Sequence, residues 1–102
     1  MEDFRLFVLP GCPYCRKALA WQEELMQTQP LYRPLAPRIV DESREKELAA
    51  GFDYYYVPCY FLGREKLAEG VLSQEQVEEV FRRVWTAAHP GVPAPSARGM
   101  NS

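Results

Sequence analysis

The chain has 102 residues, 47% of them hydrophobic, and a formal net charge of −2. That is enough apolar side chain for one packed domain and too much for a wholly disordered chain. The mild acidity leaves no footprint for nucleic acid, and no apolar run nears the roughly 20 residues that span a bilayer.

The start, Met1-Glu2-Asp3, is acidic, whereas a secretory signal has a basic start and a long apolar run; the expected compartment is the cytoplasm. Thiols there stay reduced, which favours a catalytic role for a close cysteine pair. Residues 4–9 are apolar on both faces apart from Arg5 and suit a central strand covered on both sides. Pro10-Gly11 breaks it. A helix is expected over 13–27, with Cys15, Ala18, Leu19, Gln22, Leu25 and Met26 facing inward and Trp21 packing at the side. Thr28-Gln29-Pro30 ends it.

Pro30, Pro34 and Pro37 interrupt the next stretch and leave room for a short strand, 38–40, at a sheet edge. A charged helix is expected over 43–50, capped by Asp41 or Ser43 and stopped by Gly51. Residues 57–62 are β-branched and aromatic; with the turn Gly63-Arg64 and residues 65–68 they predict a hairpin. Ser73 and Gln76 have the spacing of a capping box, and Val77, Val80, Phe81, Val84 and Trp85 line one face of a closing helix. From His89 on, Pro90, Gly91, Pro93, Pro95, Ser96 and Gly99 cannot build a core. A domain over 1–88 and a flexible tail over 89–102 are expected. The element order predicts an α/β fold: a four-stranded mixed sheet with three helices on its two faces.

The clearest chemistry lies in Cys12-Pro13-Tyr14-Cys15. Cys12 falls where a strand ends and a helix begins, with Pro13 at a first helical position, where its missing amide is no loss. Disulfide exchange needs a thiolate. Unpaired amides at a helix start stabilise one, so Cys12 is expected to ionise below the free-thiol value of about 8.5, with Arg16 and Lys17 adding to the effect. Cys15, one turn further in, is placed to attack a mixed disulfide on Cys12. A zinc site needs two more ligands; Cys59 and His89 share no ligand spacing, and no metal is expected. Cys59 reads as a small buried hydrophobe rather than a third redox thiol. Tyr54-Tyr55-Tyr56 reads as a half-buried run at a loop–strand junction, and His89 as a solvated residue. Arg33 and Arg38 have no assignable place.

Cys12-Pro13-Tyr14-Cys15, followed by Val57-Pro58 and the closing helix, resembles the glutaredoxins of the thioredoxin-fold superfamily over residues 4–86. The resemblance implies a thioredoxin-like fold of βαβαββα order and thiol–disulfide oxidoreductase activity on protein or low-molecular-weight disulfides. It implies Cys12 as nucleophile and Cys15 as resolving thiol, the two forming a redox-active disulfide. Tyr14, Val57 and Pro58 would lie beside the substrate, the Val57–Pro58 bond would be cis, and the main chain of Val57 would pair with an extended peptide or glutathione. No bound cofactor is implied; glutathione as co-substrate, or a thioredoxin-reductase-type system, would donate electrons to a monomer with no nucleic-acid or membrane partner. Where such proteins carry a Gly-Gly pair, a small residue and an aspartate after the last strand, this chain has Ala68-Glu69-Gly70-Val71-Leu72-Ser73. Two other uses of the same scaffold would be a metal or iron–sulfur binding module and a redox sensor whose cysteine pair switches a partner surface.

Overall fold

The computed structural model describes residues 1–97. Its sheet is built on β1 (Phe4–Val8), which pairs in parallel with β2 (Arg38–Asp41) on one side and antiparallel with β3 (Cys59–Leu62) on the other. Strand β4 (Glu65–Glu69) completes the order β2-β1-β3-β4 as the second arm of the hairpin. Helices α1 (Pro13–Thr28), α2 (Lys46–Ala50) and α3 (Gln74–Ala88) connect and close it. This is the expected α/β architecture, with the strand order and directions of a thioredoxin-like fold.

The apolar run of β1 explains its central place. Leu6 and Phe7 point to opposite faces and both are fully buried. Phe4, Leu6 and Val8 join Tyr60 and Leu62 under α1 and α3. Phe7 joins Val40, Cys59 and Phe61 on the other face, covered by α2 and by the rings of Phe52 and Tyr54. Each large apolar side chain taken fully out of water contributes roughly 1.5–3 kcal/mol, so a strand that buries both faces is the natural anchor. The inward face of α1 holds the six expected residues: Cys15, Ala18, Gln22, Leu25 and Met26 are buried, and Leu19 is half-buried against the same core. Its one polar member is satisfied, because Tyr60 donates its hydroxyl proton to Gln22 Oε1 at 2.7 Å. In α3 the capping box is complete: Gln76 N–H donates to Ser73 Oγ at 3.1 Å and Ser73 N–H to Gln76 Oε1 at 2.8 Å. All five residues of its predicted apolar face are buried.

Besides the first strand of the hairpin, which starts at Cys59 rather than at 57, three regions differ from expectation. Residues Pro30–Leu35, read only as proline-interrupted chain, form a 3-10 helix that buries Tyr32 and Leu35; Pro30 sits where no amide is needed, and Gln29 Oε1 accepts from Leu31 N–H at 3.3 Å. Helix α2 starts at Lys46 rather than at 43. Asp41 Oδ1 instead accepts from the amide of Ser43 at 2.9 Å and from its hydroxyl at 2.6 Å. That side-chain turn occupies both expected caps before the helix begins. Gly51 does close α2, its N–H donating to Leu48 O at 3.1 Å.

The third difference is the C-terminal segment. Far from hanging free, residues 92–97 are laid across α1, the 3-10 helix and α3. Thr28 Oγ1 donates to Ala97 O at 2.8 Å, Gln29 Nε2 to Ser96 O at 3.0 Å, Tyr32 to Pro95 O at 2.8 Å and Trp85 Nε1 to Val92 O at 3.2 Å. Every acceptor is a main-chain carbonyl, the group a proline-rich segment has in surplus because it lacks the amides to pair them internally. Ala94 and Ala97 pack on the core. His89, read as solvated, stacks its ring on Trp85 at 3.9 Å. The rest of the expected tail, 98–102, lies outside the described residues. Among the described residues no helix is long and apolar enough to cross a membrane.

Candidate active site

Cys12 is the N-cap of α1, with extended backbone angles of φ −81° and ψ 113° and proline next to it inside the helix. Its carbonyl accepts from Arg16 N–H at 3.1 Å, the first helical bond. Its sulfur accepts from the main-chain amide of Cys15 at 3.2 Å. The cap is thus made by sulfur, and a capping atom at a helix start is favoured in its anionic form. No acidic residue stands in the first turn to oppose it.

The two thiols are unequal. Cys12 is half-buried, whereas Cys15 is only 2% exposed. Burial alone raises the Cys12 pKa, but the thiol and amide of Cys15, the amide of Tyr14 and the charge of Arg16 together outweigh it, and the net shift is downward. Burial raises Cys15, as do donation of its proton to the Cys12 sulfur and the charges of Cys12 and Glu42; the main chain at Leu9 offsets part, and its pKa is pushed up to about 12. One thiol is poised to ionise while its neighbour holds its proton.

Across from the pair stands the loop before β3. The Val57–Pro58 bond is cis, as expected. Pro58 is buried and Val57 half-buried. The Val57 carbonyl lies 4.0 Å from Cys12 Sγ, which donates to it as a thiol. Pro58 O accepts from Gly70 N–H at 2.9 Å, tying the loop to the end of β4. Tyr14 is 46% exposed beside the cysteines. Cys12, Cys15, Tyr14, Val57 and Pro58, the five residues singled out in the sequence, therefore lie on two segments that meet at the Cys12 sulfur.

The tyrosine run divides. Tyr54 is half-buried, with its ring against Phe7 and Phe61 and its hydroxyl donating to Glu42. Tyr55 and Tyr56 are exposed. Their main-chain amides both donate to Glu69 Oε2, at 2.5 and 2.9 Å, while Lys66 Nζ holds Oε1 at 2.7 Å. The lysine bond first and the two amides after it bring the Glu69 carboxyl down to about 2. Sequence reasoning missed this clamp, since main-chain partners leave no side-chain pattern to read. Cys59 is fully buried between Phe7, Val40 and Phe61, and burial pushes its thiol up to about 12, which fits a packing role. Arg38 pairs with Glu45 at 2.5 Å, at the start of β2. Arg33 donates to Met26 O at 3.1 Å near the far end of α1. Neither approaches the cysteines. Among the described residues no group of three or more His, Cys, Asp or Glu is arranged to hold a metal ion.

Fold and site together define a thioredoxin-like α/β domain with a CxxC pair at the junction of a central strand and its following helix. No family model matches the chain, and no curated protein matches it. Among solved structures, one described as the structure of a malarial protein is similar over 79% of this chain and 93% of its own, with a TM-score of 0.58 and 16% sequence identity; the likeness is one of fold.

Proposed function

We propose that this chain is a cytoplasmic dithiol oxidoreductase of glutaredoxin type that reduces disulfides in proteins or small molecules. The inequality of the two sulfurs carries this reading: Cys12, half-buried at the helix start, accepts a hydrogen bond from the amide of a residue whose own thiol is shut away from water.

In the proposed cycle the Cys12 thiolate attacks one sulfur of a substrate R–S–S–R′. The Cys12–S–R bond forms, the S–S bond breaks, and R′–S⁻ leaves to take a proton from solvent. Cys12 is then no longer charged and no longer accepts the Cys15 proton. Two of the influences that hold Cys15 protonated vanish at that moment. Cys15 attacks the Cys12 sulfur, its proton passes to the departing sulfur, and R–SH leaves. The substrate has gained two electrons and the protein holds a Cys12–Cys15 disulfide. An external thiol donor, glutathione or a thioredoxin-reductase-type system, returns those electrons. Tyr14, Val57 and Pro58 flank the attacked disulfide, and the Val57 main chain pairs with an extended substrate. The cycle calls for no bound cofactor, no metal and no second copy of the chain.

Cys12→Ser is expected to abolish disulfide reduction, and Cys15→Ser to accumulate mixed disulfides between Cys12 and substrate, read by intact-mass spectrometry. Full turnover by Cys12→Ser would overturn the proposal.

A further inference from the structure

Two adjacent main-chain amides aimed at one point form a ready anion site. Here such a pair lies on the rim of the thiol centre: Tyr55 and Tyr56 directly precede Val57, whose carbonyl is 4.0 Å from Cys12 Sγ. The pair is already occupied. Glu69 Oε2 takes both amides, and Lys66 neutralises the same carboxylate through Oε1. The three segments that meet here, the start of α1, the loop before β3 and the end of β4, each expose an aromatic or apolar side chain. Tyr14 is 46%, Tyr56 69% and Val71 68% exposed. Tyr56 Cβ lies 3.7 Å from where a Cβ on Gly70 would stand, which sets Tyr56 against the residue that precedes Val71.

Resting on the oxidoreductase reading, we infer that Glu69 determines substrate specificity, turning the site away from carboxylate-bearing thiols such as glutathione and toward disulfides in uncharged, extended polypeptide. Glutathione carries two carboxylates and one ammonium. Arg16, a cation whose field reaches Cys12, can match one carboxylate. The other meets an amide pair already filled by an internal carboxylate and a lysine already paired. To use them it must displace Glu69 and then face its charge. A neutral polypeptide makes no such demand, and its apolar side chains gain by covering Tyr14, Tyr56 and Val71.

The test is single-turnover exchange of the fully reduced protein with two probes, glutathione disulfide and a disulfide-linked peptide without charged side chains, quenched by alkylation and read by mass. The wild type is expected to react with the neutral peptide about tenfold faster than with glutathione disulfide, the scale of one charge-assisted contact. Glu69→Gln, which keeps an oxygen for the amides but removes the charge, is expected to narrow that ratio by raising the glutathione rate alone. Lys66→Gln, which leaves the Glu69 charge unpaired, is expected to widen it, and it carries the test if Glu69→Gln fails to fold. The rate of Cys12 alkylation by neutral iodoacetamide, measured in each protein, normalises both exchange rates for the reactivity of the thiol itself. A ratio that neither variant moves, or a wild type that prefers glutathione disulfide, overturns the role of Glu69 and leaves the oxidoreductase reading standing. A wild type that exchanges with neither probe overturns both.

Discussion

The main-chain amide of Cys15 donates to the sulfur of Cys12 at 3.2 Å, while the Cys15 sulfur itself is only 2% exposed. The same residue stabilises one thiolate and withholds another. At neutral pH, iodoacetamide should therefore modify one cysteine of the three, Cys12, and leave Cys15 and Cys59, both pushed up to about 12, unmodified. Because the folded pKa of Cys12 is depressed, its alkylation rate should rise and level off at a lower pH than that of a free thiol. Peptide mapping of the alkylated protein checks this, and faster modification of Cys15 than of Cys12 would contradict it.

The clamp on the loop before Val57 has its own pH signature. The folded pKa of Glu69 is depressed from 4.5 to about 2, so its stabilisation is fully present above 4.5 and is lost as pH falls toward 2. The amide proton shifts of Tyr55 and Tyr56 should titrate together, near pH 2 and not near 4.5, in a two-dimensional NMR series. In Glu69→Gln the titration should vanish. A midpoint at the ordinary glutamate value would mean that the carboxylate is not held by these groups in solution.

Gln22 and Tyr60 form a buried polar pair in an otherwise apolar interface between α1 and β3. Tyr60→Phe or Gln22→Leu alone leaves one buried group without its partner, a loss of roughly 1–3 kcal/mol. The double variant removes both groups and should be less destabilised than the two single losses added together. Denaturant unfolding of the four proteins gives the cycle, and strict additivity would show that the bond contributes nothing beyond its parts.

Much of this fold was legible because several local signals agreed. β1 announced its central place by burying residues on both faces, and α3 by a capping box followed by an unbroken apolar face. The cysteine pair could be placed because Pro10-Gly11 ends the strand and Pro13 opens the helix. The illegible parts depend on main-chain groups. The turn at Asp41 used the same residues that a helix cap would use, and only the chain geometry distinguishes the two outcomes. Proline density in 30–37 argued against a strand, correctly, but says little about a short 3-10 helix. Glu69 bonds to amides more than a dozen positions away, brought there by its pairing with Cys59 across the hairpin. The segment beyond His89 was read from what it lacks, side chains for a core, whereas it docks through what it has, main-chain carbonyls.

That docking makes the last prediction. Truncation after Gly91 removes the acceptors for Gln29, Tyr32 and Trp85 and one of the two for Thr28, which keeps Leu25 O. It also uncovers Tyr32 and Gln29, now 1% and 5% exposed, so water takes over part of the lost bonding. The net loss should be roughly 1–3 kcal/mol, well short of three unsatisfied groups, read as a lower unfolding midpoint with a change in Trp85 fluorescence. The Cys12 alkylation rate should stay as it is. Thr28 is the last of the 16 residues of α1, which puts the docked segment about 24 Å along the helix from the thiol. An unchanged midpoint would mean that these bonds contribute nothing to stability, and a changed alkylation rate would mean that the two ends of α1 are coupled.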